Sequence, residues 1–134
     1  MFFDIYNLNA DYIETLGFKQ EKVAFKMKKR HFCALSIRIN SINTIFECNG
    51  KKIQVEKGDI VFVPRVDYTR SSDLDETLCI HFNIDKNFSE IEHYRPKNPN
   101  LFISLFQQVF NATRHNNSHY DGAKGLYEIL SAIA

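Results

Sequence analysis

The stretch FECNGKKIQVEKGDIVFVP, residues 46–64, holds two turn signals between short apolar runs. Asn49 and Gly50 form a dipeptide suited to a two-residue type I′ hairpin turn, because both central residues of that turn adopt positive φ. Gly58 predicts a second tight turn, which leads into a strand of four apolar residues, Ile60–Val63. The proline after this strand cannot continue a central ladder of backbone hydrogen bonds. The stretch therefore predicts a hairpin followed by one further buried strand.

The Asn-Gly turn also predicts the register of the hairpin, because side chains alternate between the two faces of a strand. Counting outward from the turn, the facing pairs are Cys48 with Lys51, Glu47 with Lys52, Phe46 with Ile53, and Thr44 with Val55. One face of the hairpin is then mostly apolar, and the other face carries an opposed charge pair.

Short runs of alternating apolar residues recur along residues 21–84, with turn signals between them. This pattern is typical of an antiparallel sandwich or barrel rather than of alternating strands and helices. Twelve Phe and six Tyr suit a β-rich core that packs large flat side chains. The predicted strands are residues 22–28, 32–40, 43–48, 51–55, 60–63 and 76–84.

The sequence after residue 84 changes from strand-like to helical patterns. Asn98 followed by Pro99 predicts an N-cap with proline at the first helical position. The first helix then carries a broad apolar stripe of Leu101, Phe102, Leu105, Phe106, Val109 and Phe110. A second helix is predicted from about Asp121 to the end, with Leu126, Ile129, Leu130 and Ile133 on one side. No Gly, Asn or Lys caps its last turn, so we expect the natural chain to continue beyond Ala134.

These motifs, in this order, carry a resemblance to a known family. They are FECNGKKIQVEKGDIVFVP (46–64), LCIHFNI (78–84), and the helical segments FISLFQQVF (102–110) and LYEIL (126–130). With them, most of the chain resembles the N-terminal cupin-like effector-binding and dimerisation domain of AraC-family transcription regulators. The resemblance implies a mainly β fold: a double-stranded β-helix (a cupin or jelly-roll-like barrel) followed by two C-terminal α-helices.

The resemblance also implies a function. A small-molecule effector, for example a sugar or related metabolite, would bind inside the barrel, and the C-terminal helices would form a homodimer. In the family, a separate domain with two helix-turn-helix units binds promoter DNA, and these 134 residues do not include that domain. The chain's formal net charge of +1 provides no global electrostatic reason to bind nucleic acid. We therefore expect contact with DNA only through the separate domain.

The length of 134 residues suits a single domain. Within it we predict an N-terminal arm (1–20), a β-barrel (21–85), a connector (86–98) and a helical dimerisation segment (99–134). The chain lacks the basic and apolar regions of a signal peptide and any apolar run of about 18 residues. We expect a soluble, cytoplasmic protein with no membrane contact, whose three cysteines are buried free thiols.

The predicted strand 76–84 has two different faces. Leu78, Ile80, Phe82 and Ile84 form the apolar face, and Thr77, Cys79, His81 and Asn83 form the polar one. Two interpretations remain open. Either the polar face lies in water, or Thr77, Cys79 and His81 lie inside the barrel as the polar groups of a ligand cavity.

Two arginines are candidates for charged contacts. Arg30 ends the basic run KMKKR, where its fork-shaped guanidinium could bind a sugar hydroxyl or a carboxylate at the barrel mouth. The alternative for Arg30 is a solvated basic turn. Arg38 alternates with Ile37 and Ile39, so we expect it on the outer face, with its stem covering apolar surface.

The sequence lacks the pattern of a metal-binding cupin, which needs two histidines one residue apart and a third after the Gly-Asp segment. None of the five histidines forms such a pair, and Thr69 stands at the position of the third. We expect no metal, no cofactor and no catalytic residue, and therefore a binding module rather than an enzyme. The alternatives are a stand-alone small cupin enzyme acting on a sugar or small metabolite, and a structural dimerisation module with a filled barrel.

Apolar helical stripes are more often core than partner surface, but here two of them flank one small barrel. Part of that surface is then available to a second subunit. The residues predicted to form the dimer interface are Phe102, Phe106, Phe110, Leu126 and Leu130.

Overall fold

The computed structural model describes residues 1–4, 7–116 and 118–134. A short 3₁₀ helix (Phe2–Asp4) precedes seven strands and two helices. These are β1 (Ala10–Met27), β2 (Cys33–Ile42), β3 (Thr44–Cys48), β4 (Lys51–Val55), β5 (Ile60–Val63), β6 (Tyr68–Ile84), β7 (Glu92–Tyr94), α1 (Pro99–Thr113) and α2 (His119–Ile133). The predicted mainly β fold with two C-terminal helices is confirmed.

All of the strands belong to one antiparallel sheet with the order β4-β3-β6-β2-β5-β7, and β1 pairs with β6 in addition. Strand β6 is long enough to pair with β3 near its start and with β2 toward its end. Strand β1 follows β6 over nearly its whole length, from Ala10 opposite Ile84 to Met27 opposite Tyr68. The sheet thereby curls into a nearly closed barrel.

The hairpin has the predicted turn and register. Asn49 and Gly50 adopt φ values of 52° and 77°, as a type I′ turn requires. All four predicted pairs are observed, from Cys48 opposite Lys51 to Thr44 opposite Val55. The local turn chemistry was therefore sufficient to define this unit.

The second predicted turn is joined to the start of α1. Gly58 has a φ of 88°, and a Cβ atom there would lie 2.9 Å from the Pro99 side chain. The next residue, Asp59, is fully buried, and its carboxylate accepts hydrogen bonds from Arg95 Nε (2.9 Å) and Nη2 (3.0 Å). Because Arg95 precedes α1, this bidentate pair ties the turn to the helical segment.

Three predicted boundaries were wrong. Strand β1 begins at Ala10 within the predicted arm, β6 begins at Tyr68 rather than at residue 76, and β7 lies in the predicted connector. In β1 and early β6, polar side chains occupy paired positions, so the apolar alternation is weak. Strand β7 has only three residues and is defined by pairing with β5. These segments are strands because they pair with distant parts of the chain, although their local sequence carries no strong strand pattern.

The helices begin close to the predicted positions, but their caps differ. Asn98 precedes α1, with proline in its first turn, yet the Asn98 side chain makes no capping hydrogen bond. Helix α2 begins at His119, two residues before the predicted start. Ser118 caps it by accepting a hydrogen bond from the backbone N–H of Asp121 at 3.3 Å.

The core has two layers, one on each face of the sheet. The outer layer packs the sheet against both helices and contains, among others, Leu35, Ile37, Phe62, Leu78, Ile80 and Phe82. The inner layer lies inside the barrel and contains Ala34, Phe46, Val61, Val63 and Cys79. The most apolar face of β6 is therefore covered by the helices, and the opposite face lines the barrel.

This packing corrects the predicted dimer interface. Phe102, Phe106 and Leu126 are 5%, 0% and 0% exposed, and they belong to the outer core layer of their own chain. Their burial against the sheet leaves them no surface for a second subunit. Phe110 and Leu130 also pack against this layer but remain partly exposed.

The three cysteines, Cys33, Cys48 and Cys79, are free and buried, as predicted. Within the described part of the chain, neither helix is long and apolar enough to cross a membrane.

Replacing Gly122 with alanine is expected to lower the free energy of unfolding by about 1–3 kcal/mol. An added Cβ would lie 2.2 Å from the ring of Tyr12, which is only 5% exposed and has its hydroxyl 2.7 Å from Thr15 Oγ1. Without this clash, Gly to Ala in a helix would stabilise by up to about 1 kcal/mol. Urea unfolding of Gly122→Ala beside Ser131→Ala, an exposed site in α2, measures the difference. A stabilised Gly122→Ala variant would contradict the close packing.

Candidate functional site

The barrel contains a partly open cavity of about 260 Å³. It opens between β1, the β1–β2 turn and the inner faces of β2 and β6. Its lining combines aromatic rings, three arginines and a few small or polar groups: Phe18, Gln20, Phe25, Met27, Arg30, Ala34, Ser36, Arg38, Phe46, Val63, Tyr68, Arg70, Cys79 and His81.

The register between β2 and β6 explains the free space. Ala34 lies opposite His81, and Ser36 lies opposite Cys79. Because directly opposed side chains of an antiparallel pair share one face, these inward positions combine a small residue with a polar one. Large apolar residues are used on the other face, under the helices. The inward face is thus left partly unfilled.

Arg38 lies on this inward face, so its predicted outer position was wrong. It is 2% exposed, because β2 places it on the same face as Ala34 and Ser36. Its guanidinium carbon lies 5.2 Å from the centre of the Phe46 ring. Burial lowers the pKa of Arg38, and the carboxylate of Asp75 opposes that change, while the guanidinium stays charged.

Asp75 is shared by two arginines behind the cavity wall. Arg70 donates a short hydrogen bond to Asp75 Oδ2 and a second one to Gln20, and its guanidinium also lies over the rings of Phe18 and Phe25. Arg38 Nη1 is 3.6 Å from Asp75 Oδ1, which is an ion pair without a hydrogen bond. Among the described residues, Arg38 Nε and Nη1 have no hydrogen-bond partner. Two buried guanidinium groups therefore share one carboxylate.

His81 lies near the cavity mouth and is 7% exposed. Its Nδ1 lies 3.0 Å from Glu14 Oε2, and its ring lies 4.2 Å from that of Phe32. Burial lowers the pKa of His81 and Arg30 adds to this effect, whereas the hydrogen bond to Glu14 and its charge act in the opposite direction. Since burial has the largest effect, the folded protein favours the neutral imidazole.

This pKa shift predicts a stability loss at acid pH. The folded His81 binds a proton less readily than the unfolded one, whose pKa is about 6.5. Its contribution is complete above that value and falls as the pH drops below it. Urea unfolding between pH 5 and 8 should show a shallower pH dependence in His81→Gln than in the natural chain. His93→Gln, at an exposed position, is the control and should keep the slope. An unchanged slope in His81→Gln would contradict the assignment.

Cys79 is not a nucleophile in this arrangement. Burial raises the pKa of its thiol to about 11, although Arg38 and Arg30 act against the shift. The thiol is therefore protonated at neutral pH, and a thiol rather than a thiolate is a poor nucleophile. Its place in the lining is that of a small polarizable group.

Arg30 lies at the mouth of the same cavity. Its guanidinium carbon is 4.7 Å from the centre of the Phe32 ring and 5.9 Å from that of Tyr68. These two rings hold a partly exposed cation beside the opening, in the turn between β1 and β2.

The structure brings three of the four predicted ligand-site residues to one cavity: Arg30, Cys79 and His81. The fourth, Thr77, is 1% exposed and lies opposite Arg38, but it does not line the cavity. The interpretation that placed this face of β6 in water was wrong, because all three β6 residues are buried.

Arg38, Arg70 and the aromatic residues of the lining were not predicted as ligand-site residues. The small residues Ala34 and Ser36, alternating with larger apolar ones, were the available signal.

Among residues 1–4, 7–116 and 118–134, no group of three or more His, Cys, Asp or Glu side chains could hold a metal ion. Thr69, at the position of the missing third histidine, lies in β6 opposite Lys26 and Glu47.

These features define a barrel domain, flanked by two helices, with a partly open cavity lined by arginines and aromatic rings. Its fold is similar to crystal structures of ToxT from Vibrio cholerae. One of them, from strain O395, has a TM-score of 0.61 at 10% identity, covering 92% of this chain and 54% of ToxT. A second, bound to (E)-4-(8-methylnaphthalen-1-yl)but-3-enoic acid, has a TM-score of 0.59 at 9% identity, covering 87% and 53%.

A third structure of ToxT, at 1.65 Å resolution, has a TM-score of 0.59 at 8% identity and covers 90% of this chain and 55% of that one. The chain thus spans about half the length of ToxT. At these identities the likeness concerns the fold alone. The sequence matches no protein-family model and no curated protein.

Proposed function

We propose that this chain is the small-molecule sensing module of a transcription regulator of the AraC type. In this proposal a cytoplasmic effector occupies the barrel cavity, and its binding biases how attached DNA-binding domains are presented to DNA. The module itself performs no catalysis. DNA is a partner only through a separate helix-turn-helix domain.

The observation that carries the proposal is the partly open barrel cavity with convergent polar groups. A cavity of about 260 Å³, lined by rings and by arginine, histidine, serine and glutamine side chains, has the composition of a ligand site. Two further points support it: the resemblance of the sequence motifs to AraC-type sensor domains, and a structure of similar fold, ToxT, solved with a small organic acid. The cavity also argues against a structural module with a filled barrel.

The second candidate is a small cupin enzyme acting on a sugar or related metabolite. Among the described residues, the neutral His81 of the cavity lining and the neighbouring Glu14 resemble an acid–base pair. Against it stands the protonated Cys79 thiol, which leaves this pair without an activated nucleophile. The sensing module is therefore the better supported function.

In this proposal the barrel is the sensing unit, and α1 and α2 form the contact of a homodimer. That contact must use the helix surface that is not packed against the sheet. Leu101 and Tyr120 are large side chains with exposed fractions of 47% and 85% on these helices. Sedimentation velocity over a concentration series tests the dimer. A monomer alone at concentrations well above micromolar would contradict it.

A thermal-shift screen of this chain tests the sensing function. Neutral sugars, sugar acids and aromatic acids of one or two rings are each added at millimolar concentration. A ligand present at 100 times its dissociation constant stabilises the folded state by about 2.7 kcal/mol, which raises the melting temperature by several degrees. Phe46→Trp, which narrows the cavity, is expected to abolish the shift. If no compound stabilises the natural chain, the sensing function is wrong.

A further inference from the structure

We propose that the cavity binds an organic anion, a carboxylate on a flat ring of one or two fused rings, with Arg38 as its charged partner. This inference rests on the proposed sensing function and names the chemical class of its ligand. It is carried by the charge balance of the cavity, the unpaired groups of Arg38 and the shape of the lining.

The cavity lining carries positive charge. Three of the described residues that line it are arginines, Arg30, Arg38 and Arg70, and none is a carboxylate. The buried carboxylate of Asp75, behind the wall, lies against both Arg38 and Arg70. One buried negative charge therefore faces two buried positive ones. At the mouth, the charge of Arg30 is accompanied by the partly exposed carboxylate of Glu14, which lies 3.0 Å from His81 Nδ1. A neutral sugar would leave this excess of positive charge uncompensated, whereas a carboxylate would balance it.

Arg38 is buried and incompletely hydrogen-bonded. Its side chain is 3% exposed, and its Nε and Nη1 atoms donate no hydrogen bond to any residue that the structure describes. Buried arginines are normally paired and hydrogen-bonded, because an unsatisfied buried charge is costly. Strand β2 holds the backbone of Arg38 in place, since its N–H donates to Asp59 O at 3.0 Å and its carbonyl accepts from Gly58 N–H at 2.7 Å. A fixed and incompletely paired guanidinium is suited to a carboxylate, whose two oxygens match its geometry.

Flat aromatic rings form much of the cavity wall. The rings of Phe18, Phe25, Phe46 and Tyr68 line the same cavity as Arg38. Aromatic walls favour a flat ligand body, which can stack or pack edge to face. An engineered cavity of about 150 Å³ accommodates benzene, so about 260 Å³ suits a body of one or two rings. Charge and shape together select an aromatic carboxylate over a sugar.

Isothermal titration calorimetry of the natural chain with 2-naphthoate and with its neutral isostere, 2-naphthamide, tests this inference. The two compounds have nearly the same shape and differ in charge. We expect 2-naphthoate to bind at least about tenfold more tightly, because its charged carboxylate offers two oxygens to the guanidinium, whereas the neutral amide offers one carbonyl oxygen. Equal affinity would overturn the anion inference.

Arg38→Met tests the residue, since methionine keeps much of the apolar volume and removes the charge. It should lose at least about tenfold in affinity for 2-naphthoate and little for 2-naphthamide. Arg65→Met is the matched control, because Arg65 contacts Asn83 and Asn87 and does not line the cavity. It removes the same charge elsewhere and should stay within about twofold. Arg38→Met that is folded by circular dichroism and binds 2-naphthoate normally would overturn the role of Arg38.

The outcomes separate this inference from the sensing function. If Arg38→Met does not fold, the comparison of acid and amide on the natural chain still decides the anion inference. If neutral sugars bind and 2-naphthoate and one-ring benzoates do not, the cavity is a sensor site and the anion inference is wrong. If no compound of any class binds, both proposals are wrong.

Discussion

Replacing Phe62 with alanine is expected to lower the free energy of unfolding by about 3–5 kcal/mol. Phe62 is 0% exposed and lies in β5 at the centre of the outer core layer. Its ring stacks on Phe2 with a centroid distance of 3.7 Å and an interplanar angle of 3°, and it meets Phe88 edge to face at 5.4 Å. Alanine removes these contacts and leaves a cavity that a packed sheet cannot collapse to fill.

The size of this effect follows from the role of β5. This strand pairs with both β2 and β7, so its outward ring packs where the chain's N-terminal residues meet the sheet. Native proteins have a total stability of about 5–15 kcal/mol, so this loss is a large part of it. Urea unfolding measures the loss, and Tyr120→Ala, at an 85% exposed position, is the control with an expected change within about 0.5 kcal/mol. A loss below about 1 kcal/mol in Phe62→Ala would contradict the described core.

Replacing Asp75 with alanine is expected to lower the free energy of unfolding by about 3–5 kcal/mol at neutral pH. Asp75 is 0% exposed and is the carboxylate next to both Arg38 and Arg70. Without it, two guanidinium groups remain in a water-poor environment with no negative charge between them. Breaking a buried ion pair from one side is costly because the partner's charge stays buried.

Two further variants isolate this mechanism. Asp73→Ala removes the same charge two residues away at an exposed position of β6, and it should change stability by less than about 1 kcal/mol. In an Arg38→Met background, Asp75→Ala should cost less, because only Arg70 then loses its partner. Equal costs of Asp75→Ala in both backgrounds would show that Arg38 does not depend on this carboxylate.

The hairpin and the helices could be predicted because their signals are local. The Asn-Gly turn requires positive φ at two consecutive residues, which selects the turn type and hence the register. The apolar stripes of α1 and α2 repeat with helical periodicity, and a proline marks the first turn of α1. Strands β1 and early β6 could not be bounded in the same way. The pairing of β1 with β6 joins residues about 40–75 positions apart along the chain, and the exposed faces of these segments are polar.

The candidate site was only partly predictable, since alternation along β2 and β6 shows that their two faces differ without showing which face is inward.

The sequence by itself determined the hairpin register, the buried β5 strand, the two helices and the grouping of Thr77, Cys79 and His81 on one strand face. Only the tertiary structure decided that α1 and α2 cover the apolar face of the sheet. That packing turns the opposite face inward and buries Arg38 beside Asp75. The physical reason is that helices bury most apolar area against the most apolar face, so the barrel interior receives the polar one.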